Sequence, residues 1–229
     1  MKVIQENWHA LQERIARAAH SAGRAPEEIG LVAVTKTRTP QEIEAAIRCG
    51  LRLVGENRVQ EAAAKQGQVT LEAGWHLIGH LQTNKAARAV DLFSCVQSVD
   101  SARLAAALDR HAAQAERTLE ILIQVNTSGA PQQAGVAPEQ APELAAALSA
   151  LPHLRLRGLM TIGALSPEES VVRACFARLR QLRGQLVSQF PASDWCWLSM
   201  GMSGDFELAI AEGANLLRLG TALFGARQA

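Results

Sequence analysis

The chain has 229 residues, enough to bury a large core, with 23 basic and 22 acidic side chains and a formal net charge of +1. Aromatic residues make up only 4% of it. This balance offers neither the basic surface nor the stacking side chains that nucleic-acid binding needs, so we expect no nucleic-acid partner.

The N-terminal segment MKVIQENWHALQERIARAAH predicts an amphipathic helix, because charges interrupt it and it lacks the apolar stretch and cleavage site of a signal peptide. No run of about 18 uncharged apolar residues occurs, so no membrane partner is expected. The four cysteines form no CxxC pair. This spacing argues against disulfides and a zinc site and favours a reducing, cytoplasmic location.

Short apolar, β-branched runs alternate with longer segments rich in Ala, Leu, Glu and Arg, which is the pattern of repeated βα units. Eight strands are predicted, at Gly30–Lys36, Leu53–Gly55, Trp75–Gly79, Phe93–Val99, Leu119–Asn126, Leu156–Ile162, Trp195–Met200 and Leu216–Leu219. Helices are predicted to begin near Thr39, Asn57, Thr83, Ser101, Pro138, Ser166 and Gly204. Eight such units favour a single (β/α)8 TIM barrel with an extra N-terminal helix over an open doubly wound sheet. We therefore expect one domain spanning residues 1–229.

Lys36 closes the first predicted strand, in GLVAVTKT. Side chains alternate along a strand, so Lys36 shares a face with Val32 and Val34 and points into the barrel if they do. Poor solvation at that depth favours the neutral amine, which attacks an aldehyde to form a Schiff base. The alternative is a lysine that extends back to solvent.

The loop LSMGMSGDFELAI follows the seventh predicted strand, and RLGTALFGAR contains the turn after the eighth. Loops at these two places form the recurrent phosphate site of the barrel fold. Ser203, Gly204 and the turn Gly220-Thr221 offer hydroxyl and N–H donors, although Asp205 would repel phosphate unless it points away. The alternative is a capped helix without a ligand. A reactive lysine and a phosphate site together suggest a phosphorylated aldehyde, and pyridoxal 5′-phosphate has both groups.

His76 and His80 are four residues apart, a spacing that can mimic a pair of metal ligands. No HExxH pattern and no evident third ligand accompany them, so we expect a pocket or packing role and no metal. Trp195 and Trp197 alternate on the seventh predicted strand and are expected to pack in the core.

Eight ordered blocks resemble the pyridoxal phosphate homeostasis protein family, also described as proline synthase co-transcribed proteins. They are LVAVTKT, GENRVQE, WHLIGHLQTNK, SVDS, ILIQVNTSG, GLMTIG, LSMGMSGDFELAI and RLGTALFGAR. The resemblance covers nearly the whole chain. It implies a (β/α)8 barrel similar to the N-terminal domain of alanine racemase, with pyridoxal phosphate linked to Lys36 as a Schiff base.

The resemblance also implies the remaining contacts of the cofactor. Three residues would hold the phosphate: Ser203, Gly220 and Thr221. Arg218 would face the pyridine nitrogen, and Asn57 and His80 would line the ring side of the pocket. Two positions depart from the family pattern, because Gln133 stands where a lysine is frequent and Arg58 where a tyrosine is frequent. The departure at Gln133 puts a second cofactor-binding role of that loop in doubt.

The function implied by the resemblance is vitamin B6 homeostasis without substrate turnover, by a monomer that passes pyridoxal phosphate to apo forms of enzymes that use it. The first alternative is a pyridoxal-phosphate-dependent racemase or related enzyme. Alanine racemase, however, relies on a tyrosine base from an additional β domain; the chain contains no tyrosine, and we expect no such domain after the barrel. The second alternative is a barrel that acts through a protein partner and has only a vestigial cofactor.

Overall fold

Eight parallel strands close into a barrel in chain order, and the last strand is hydrogen-bonded to the first. The computed structural model describes residues 2–226. The strands are β1 Gly30–Val34, β2 Leu53–Glu56, β3 Gly74–Leu77, β4 Cys95–Val99, β5 Leu119–Gln124, β6 Leu154–Met160, β7 Trp197–Ser199 and β8 Leu216–Leu219. This topology confirms the TIM barrel predicted from the sequence.

Helices follow the strands and form the outer layer of the barrel. They are α1 Lys2–Ser21, α2 Pro40–Arg48, α3 Val59–Gln66, α4 Ala86–Leu92, α5 Ala102–Gln114, α6 Ala141–Ser149, α7 Glu169–Gln189, α8 Phe206–Ala211 and α9 Thr221–Phe224, with short 3₁₀ turns at Pro26–Glu28, Thr83–Lys85 and Pro138–Gln140. The extra N-terminal helix α1 packs against α8 and α9. Because β8 returns beside β1, this helix covers the place where the barrel closes.

Local signals explain where several helices begin. The Thr39 hydroxyl accepts the Glu42 N–H and the Glu42 carboxylate accepts the Thr39 N–H, which is a capping box at the start of α2. Ser101 caps α5 in the predicted place. Helix α7 begins at Glu169, later than predicted, because Ser166 accepts the Glu168 N–H and forms a turn instead of a helix start.

Seven of the eight strands differ from the sequence prediction by one or two residues at one end or both, and two of these differences have an evident local cause. Strand β1 ends at Val34 rather than Lys36, because the chain turns through Thr37, whose φ is 65°. Strand β7 begins at Trp197 rather than Trp195, since the Trp195 indole N–H donates to a carbonyl in the preceding loop. The inward direction predicted for Lys36 assumed that strand alternation continues to this residue. Lys36 in fact lies two residues beyond the end of β1.

The apolar side chains form two cores. The larger lies between the sheet and the helices and contains outward-facing strand residues such as Ala33, Val96 and Leu217. The smaller lies inside the barrel and consists of Cys95, Leu122, Met160, Ile162 and Trp197. The rest of the interior is lined largely by polar side chains. Burying polar groups is costly, so this polar interior indicates a functional role.

Helices α1 and α7 each exceed 18 residues, but both carry many charged side chains. Within residues 2–226, no helix combines the length and the apolarity that crossing a membrane requires.

Candidate functional site

Lys36 lies at the carboxyl-terminal end of the barrel, two residues after β1, and is half-buried. Within residues 2–226 its amine has no hydrogen-bond or ion-pair partner, whereas the nearby Lys65 donates to three acceptors. Lys36 follows the end of β1, whereas Lys65 lies in the last turn of α3 and reaches back to the same region. Lys36 is the amine that remains available for chemistry, because the one on Lys65 is already engaged.

The turn after β8 lies directly against the end of β1. A Cβ added to Gly220 would come within 3.3 Å of the Val34 carbonyl oxygen, so the two segments are in backbone contact. The Ser203 hydroxyl accepts the Ala222 N–H at 3.1 Å. This contact joins the loops after β7 and β8. The structure thus brings Ser203, Gly220 and Thr221 together beside the strand that carries Lys36.

Asp205, which we expected to oppose an anion at this place, is turned back onto its own loop. Its carboxylate accepts the Met202 N–H at 2.6 Å. Burial raises the pKa of Asp205, and the Met202 N–H and the charge of Arg218 oppose that rise without cancelling it. Helix α8 has only six residues, so the loop's N–H and hydroxyl groups, rather than a long helix dipole, are the donors on this side.

Arg218 is buried inside the barrel, with 5% of its surface exposed. Its guanidinium donates to the Ser199 hydroxyl at 2.7 Å and to the Thr161 carbonyl at 2.7 Å. Burial lowers the pKa of Arg218 to about 10, and the nearby Asp205 carboxylate works against this decrease. At neutral pH the side chain therefore remains a cation that offers further N–H donors to its surroundings.

The hydrogen bonds continue from Arg218 across the barrel. The Ser199 hydroxyl donates to Gln97 Oε1 at 2.6 Å, and Gln97 Nε2 lies 2.9 Å from His76 Nδ1. Because arginine only donates, the direction of every later bond is set: Ser199 must donate to the Gln97 oxygen, which leaves the Gln97 NH₂ to donate to His76. His76 is then the neutral tautomer protonated on Nε2.

Burial supports the same protonation state for His76, because it lowers the pKa of His76 to about 4. The ring lies 5.6 Å from the ring of Trp197, centroid to centroid. The sequence indicated a pocket or packing role for His76 but did not identify Gln97 as its partner, or Ser199 as the partner of Gln97. The available signal was strand alternation, which places all three on the inner face.

Asn57 and His80 lie on adjacent loops on the side of β1 opposite to β8. A Cβ on Gly79 would come within 2.3 Å of the Asn57 carbonyl oxygen, so the loops after β2 and β3 are in direct backbone contact. The structure places His80 at the exposed rim, where its Nδ1 is 3.5 Å from Asp100 Oδ2. His76 and His80 face different surroundings, and the described residues contain no group of three side chains suited to a metal.

Gln133 connects two loops at the same end of the barrel. Its amide nitrogen donates to the Gly163 carbonyl at 2.7 Å, and its oxygen accepts the Ser128 hydroxyl at 2.7 Å. The loop after β5 is thereby tied to the segment after β6. Gln133 thus acts as a structural link at this position and carries no amine that could capture an aldehyde.

The neutral His76 predicts a specific pH dependence of stability. Its ordinary pKa is 6.5, so between pH 6.5 and 4 the unfolded chain binds a proton that the folded chain does not. The free energy of unfolding should fall as the pH is lowered through this range, by about 3 kcal/mol in total. In His76→Asn, which keeps an acceptor for Gln97 but does not titrate, urea denaturation should show a shallower decrease. Equal slopes in the two proteins would contradict this assignment.

Comparison with known proteins agrees with this geometry. The alanine racemase N-terminal domain family matches residues 4–228. The pyridoxal phosphate homeostasis protein of Pseudomonas aeruginosa is 44% identical over 99% of this chain and 97% of its own, and that of Escherichia coli K12 is 41% identical over 99% and 98%. PipY of Synechococcus elongatus, solved with PLP bound, matches with a TM-score of 0.87 and 39% identity over 97% of this chain and 100% of its own. The chain therefore belongs to the pyridoxal phosphate homeostasis protein family and has the barrel fold of the alanine racemase N-terminal domain.

Proposed function

We propose that this chain binds pyridoxal 5′-phosphate at the carboxyl-terminal end of the barrel and holds it for intracellular supply, without turning over a substrate. One observation carries the proposal: an unengaged lysine amine lies two residues after β1, between the donor-rich loops after β7 and β8 and the loops after β2 and β3. The structure of the relative PipY with PLP bound supports the same ligand.

The residues at this end of the barrel fit the chemistry of the cofactor. Pyridoxal phosphate supplies an aldehyde, which condenses with a primary amine with loss of water, and a phosphate dianion attached to the same ring. Lys36 offers the amine. Ser203 and Thr221 offer hydroxyl groups, and Gly220 allows the backbone to approach closely because it has no side chain. Each functional group of the ligand thus has a matching partner on one chain, which supports a monomeric site.

We assign Arg218 as the residue that would face the pyridine nitrogen of the cofactor. Ser199 and Thr161 hold its guanidinium in place, so it presents N–H donors rather than a proton acceptor. Chemistry at an amino-acid α-carbon needs a strong electron sink, and the sink is strongest when a carboxylate keeps the ring nitrogen protonated. A fixed cation at that place weakens this sink, and the chain contains no tyrosine that could act as the second base of a racemase, so the two features together favour storage of the cofactor over turnover.

We assign Asn57 and His80 as residues that would line the pocket beside the cofactor ring. The pairing of Val34 with Gly55 at the ends of β1 and β2 supports the placement of Asn57 near the loop of Lys36. His80 is more exposed, with 58% of its side chain accessible, so we assign it to the outer edge of the ring site. From there it has access both to solvent and to an approaching recipient enzyme.

The attachment point is tested by trapping the bound cofactor. Incubation with pyridoxal phosphate followed by borohydride reduction should leave the cofactor mainly on the peptide that contains Lys36. Lys36→Ala should lose the adduct, whereas the matched variant Lys85→Ala should keep it. Recovery of most of the reduced cofactor adduct on Lys65 or Lys85 in the wild-type protein would contradict the proposal.

The phosphate role of the β7 and β8 loops is tested by comparing two ligands. Ser203→Ala and Thr221→Val each remove one hydroxyl, and a hydrogen bond to a charged group is worth about 1.5–3 kcal/mol, so pyridoxal phosphate should bind roughly ten- to a hundredfold more weakly. Pyridoxal, which lacks the phosphate, should bind each variant as it binds the wild type. Ser149→Ala on α6 is the control. Equal losses for both ligands would show that these loops do not recognise phosphate.

The storage role is tested by incubating the loaded protein with amino acids and, separately, with an apo-enzyme that requires pyridoxal phosphate. L-alanine and L-serine should yield no D-enantiomer, keto acid or ammonia above the level given by free cofactor. The apo-enzyme should gain activity as the cofactor passes to it. Sustained turnover that disappears in Lys36→Ala would favour an enzyme and overturn the storage role.

A further inference from the structure

The backbone immediately after Lys36 is held in an unfavourable conformation. Thr37 has a φ of 65°, in the left-handed region. An L-residue with a branched Cβ rarely adopts this region, because its side chain crowds the neighbouring peptide groups. Glycine would adopt it freely. Some other interaction must therefore hold Thr37 in place, and that interaction also sets the direction in which Lys36 leaves the chain.

Glu61 on α3 provides this interaction. Its Oε1 accepts the Thr37 N–H at 2.5 Å, and the same oxygen accepts the Lys65 ammonium at 2.6 Å. The carboxylate is thus fixed from both sides. Hydrogen bonds to ionised groups are shorter and stronger than neutral ones, so this bond is suited to hold a strained turn.

Lys65 extends the same cluster to the other side of Lys36. It donates to the Thr35 carbonyl at 2.7 Å and to Glu56 Oε1 at 2.8 Å. The Thr35 hydroxyl also donates to Glu56 Oε1, at 2.7 Å. The three ammonium protons of Lys65 are therefore all engaged. As a result, the residues before and after Lys36 are tied to one buried cation.

The cluster contains one cation, Lys65, and two carboxylates, Glu56 and Glu61. Glu56 is completely buried and Lys65 is 9% exposed, so each needs the other. Burial raises the pKa of Glu56 despite the bonds from Lys65 and Thr35. Burial acts on Glu61 in the same direction, but the bonds from Lys65 and Thr37 prevail and hold the pKa of Glu61 below its usual value. Glu61 is thus the ionised acceptor that the Thr37 N–H requires.

We propose that Glu61 and Lys65 are positioning residues that keep Thr37 in its left-handed conformation and so fix the direction of the Lys36 side chain. The proposal deepens the function proposed above and rests on attachment of the cofactor at Lys36. Glu61 and Lys65 act through the backbone and do not touch the cofactor.

The first test compares cofactor attachment in Glu61→Ala and in the wild type. Removing one charge-assisted hydrogen bond should slow attachment of pyridoxal phosphate to Lys36 by roughly ten- to a hundredfold, measured by the change in cofactor absorption and by the yield of the reduced Lys36 adduct. Pyridoxal should be slowed by the same factor, because the lost interaction orients the amine rather than the phosphate. Lys65→Met should act in the same direction, since Glu61 then loses its partner.

A rescue variant separates positioning from general damage to the fold. In Glu61→Ala/Thr37→Gly, glycine adopts the left-handed conformation without support, so attachment should return to within a few-fold of the wild-type rate. Glu42→Ala is the matched control, because the Glu42 carboxylate accepts the N–H of Thr39 in the same loop. It should lower the melting temperature without slowing attachment. Slow attachment that Thr37→Gly does not restore, or a wild-type rate in Glu61→Ala, would overturn the proposal.

A readout without cofactor separates this proposal from the proposed function. The intraresidue NOE between the amide and Hα protons of Thr37 reports the sign of φ in the free protein by NMR, because the two protons lie closer together in the left-handed region. It should be strong in the wild type and Glu42→Ala, and weaker, as expected for negative φ, in Glu61→Ala. If the wild type fails to attach the cofactor at Lys36, the proposed function is wrong and this NOE still tests the positioning role. An unchanged positive φ in Glu61→Ala would refute that role directly.

Discussion

Arg218 brings a charge into the interior of the barrel, and much of the polar interior follows from it. A buried charge without partners costs several kcal/mol, so acceptors must be provided. Ser199 and Thr161 supply them, and Ser199 in turn needs an acceptor of its own, which is Gln97. The Gln97 amide is then satisfied by His76. One cation therefore accounts for inward-facing polar side chains on four of the eight strands.

A second cation organises the rim of the barrel in a similar way. Lys65 is surrounded by two carboxylates and a carbonyl, just as the Arg218 guanidinium is surrounded by oxygen acceptors. Both side chains can only donate, so each fixes the direction of the hydrogen bonds around it. Strand β1 lies between the two clusters, because it pairs with β2 on one side and with β8 on the other. Lys36, at the end of β1, is thus placed by two independent networks.

This arrangement is consistent with a protein that holds a cofactor firmly and does little chemistry with it. The groups that surround the Lys36 segment are mainly fixed donors: hydroxyls, backbone N–H groups and the Arg218 guanidinium. Donors of this kind recognise an anion and an aromatic nitrogen, whereas proton transfer at carbon also needs a free base in a suitable position. Two carboxylates that contact the residues next to Lys36, the buried Glu56 and the partly exposed Glu61, are already committed to Lys65. They hold the loop in place and are not free to act as bases.

The sequence by itself determined the barrel and singled out Lys36 as the candidate attachment lysine. The alternation of apolar runs with helical segments is a local property, and eight repeats of it leave few architectures open. Strand alternation predicted Lys36 on the inner face, and small residues drew attention to the loops of Ser203 and Gly220. The prediction of the barrel succeeded because it depends on neighbours in the chain.

Only the tertiary structure decided which polar groups meet. Gln97 and Ser199 are 102 residues apart, so no local pattern pairs them. The sequence does not indicate the partners of Lys36 or Lys65, and only the fold shows that Lys65 is bound by carboxylates while Lys36 is not. The sequence also gives no sign of the turn at Thr37, because a positive φ is normally indicated by glycine. Here the Glu61 carboxylate on α3 accepts the Thr37 N–H instead. Contacts between distant residues, rather than local propensity, set these features.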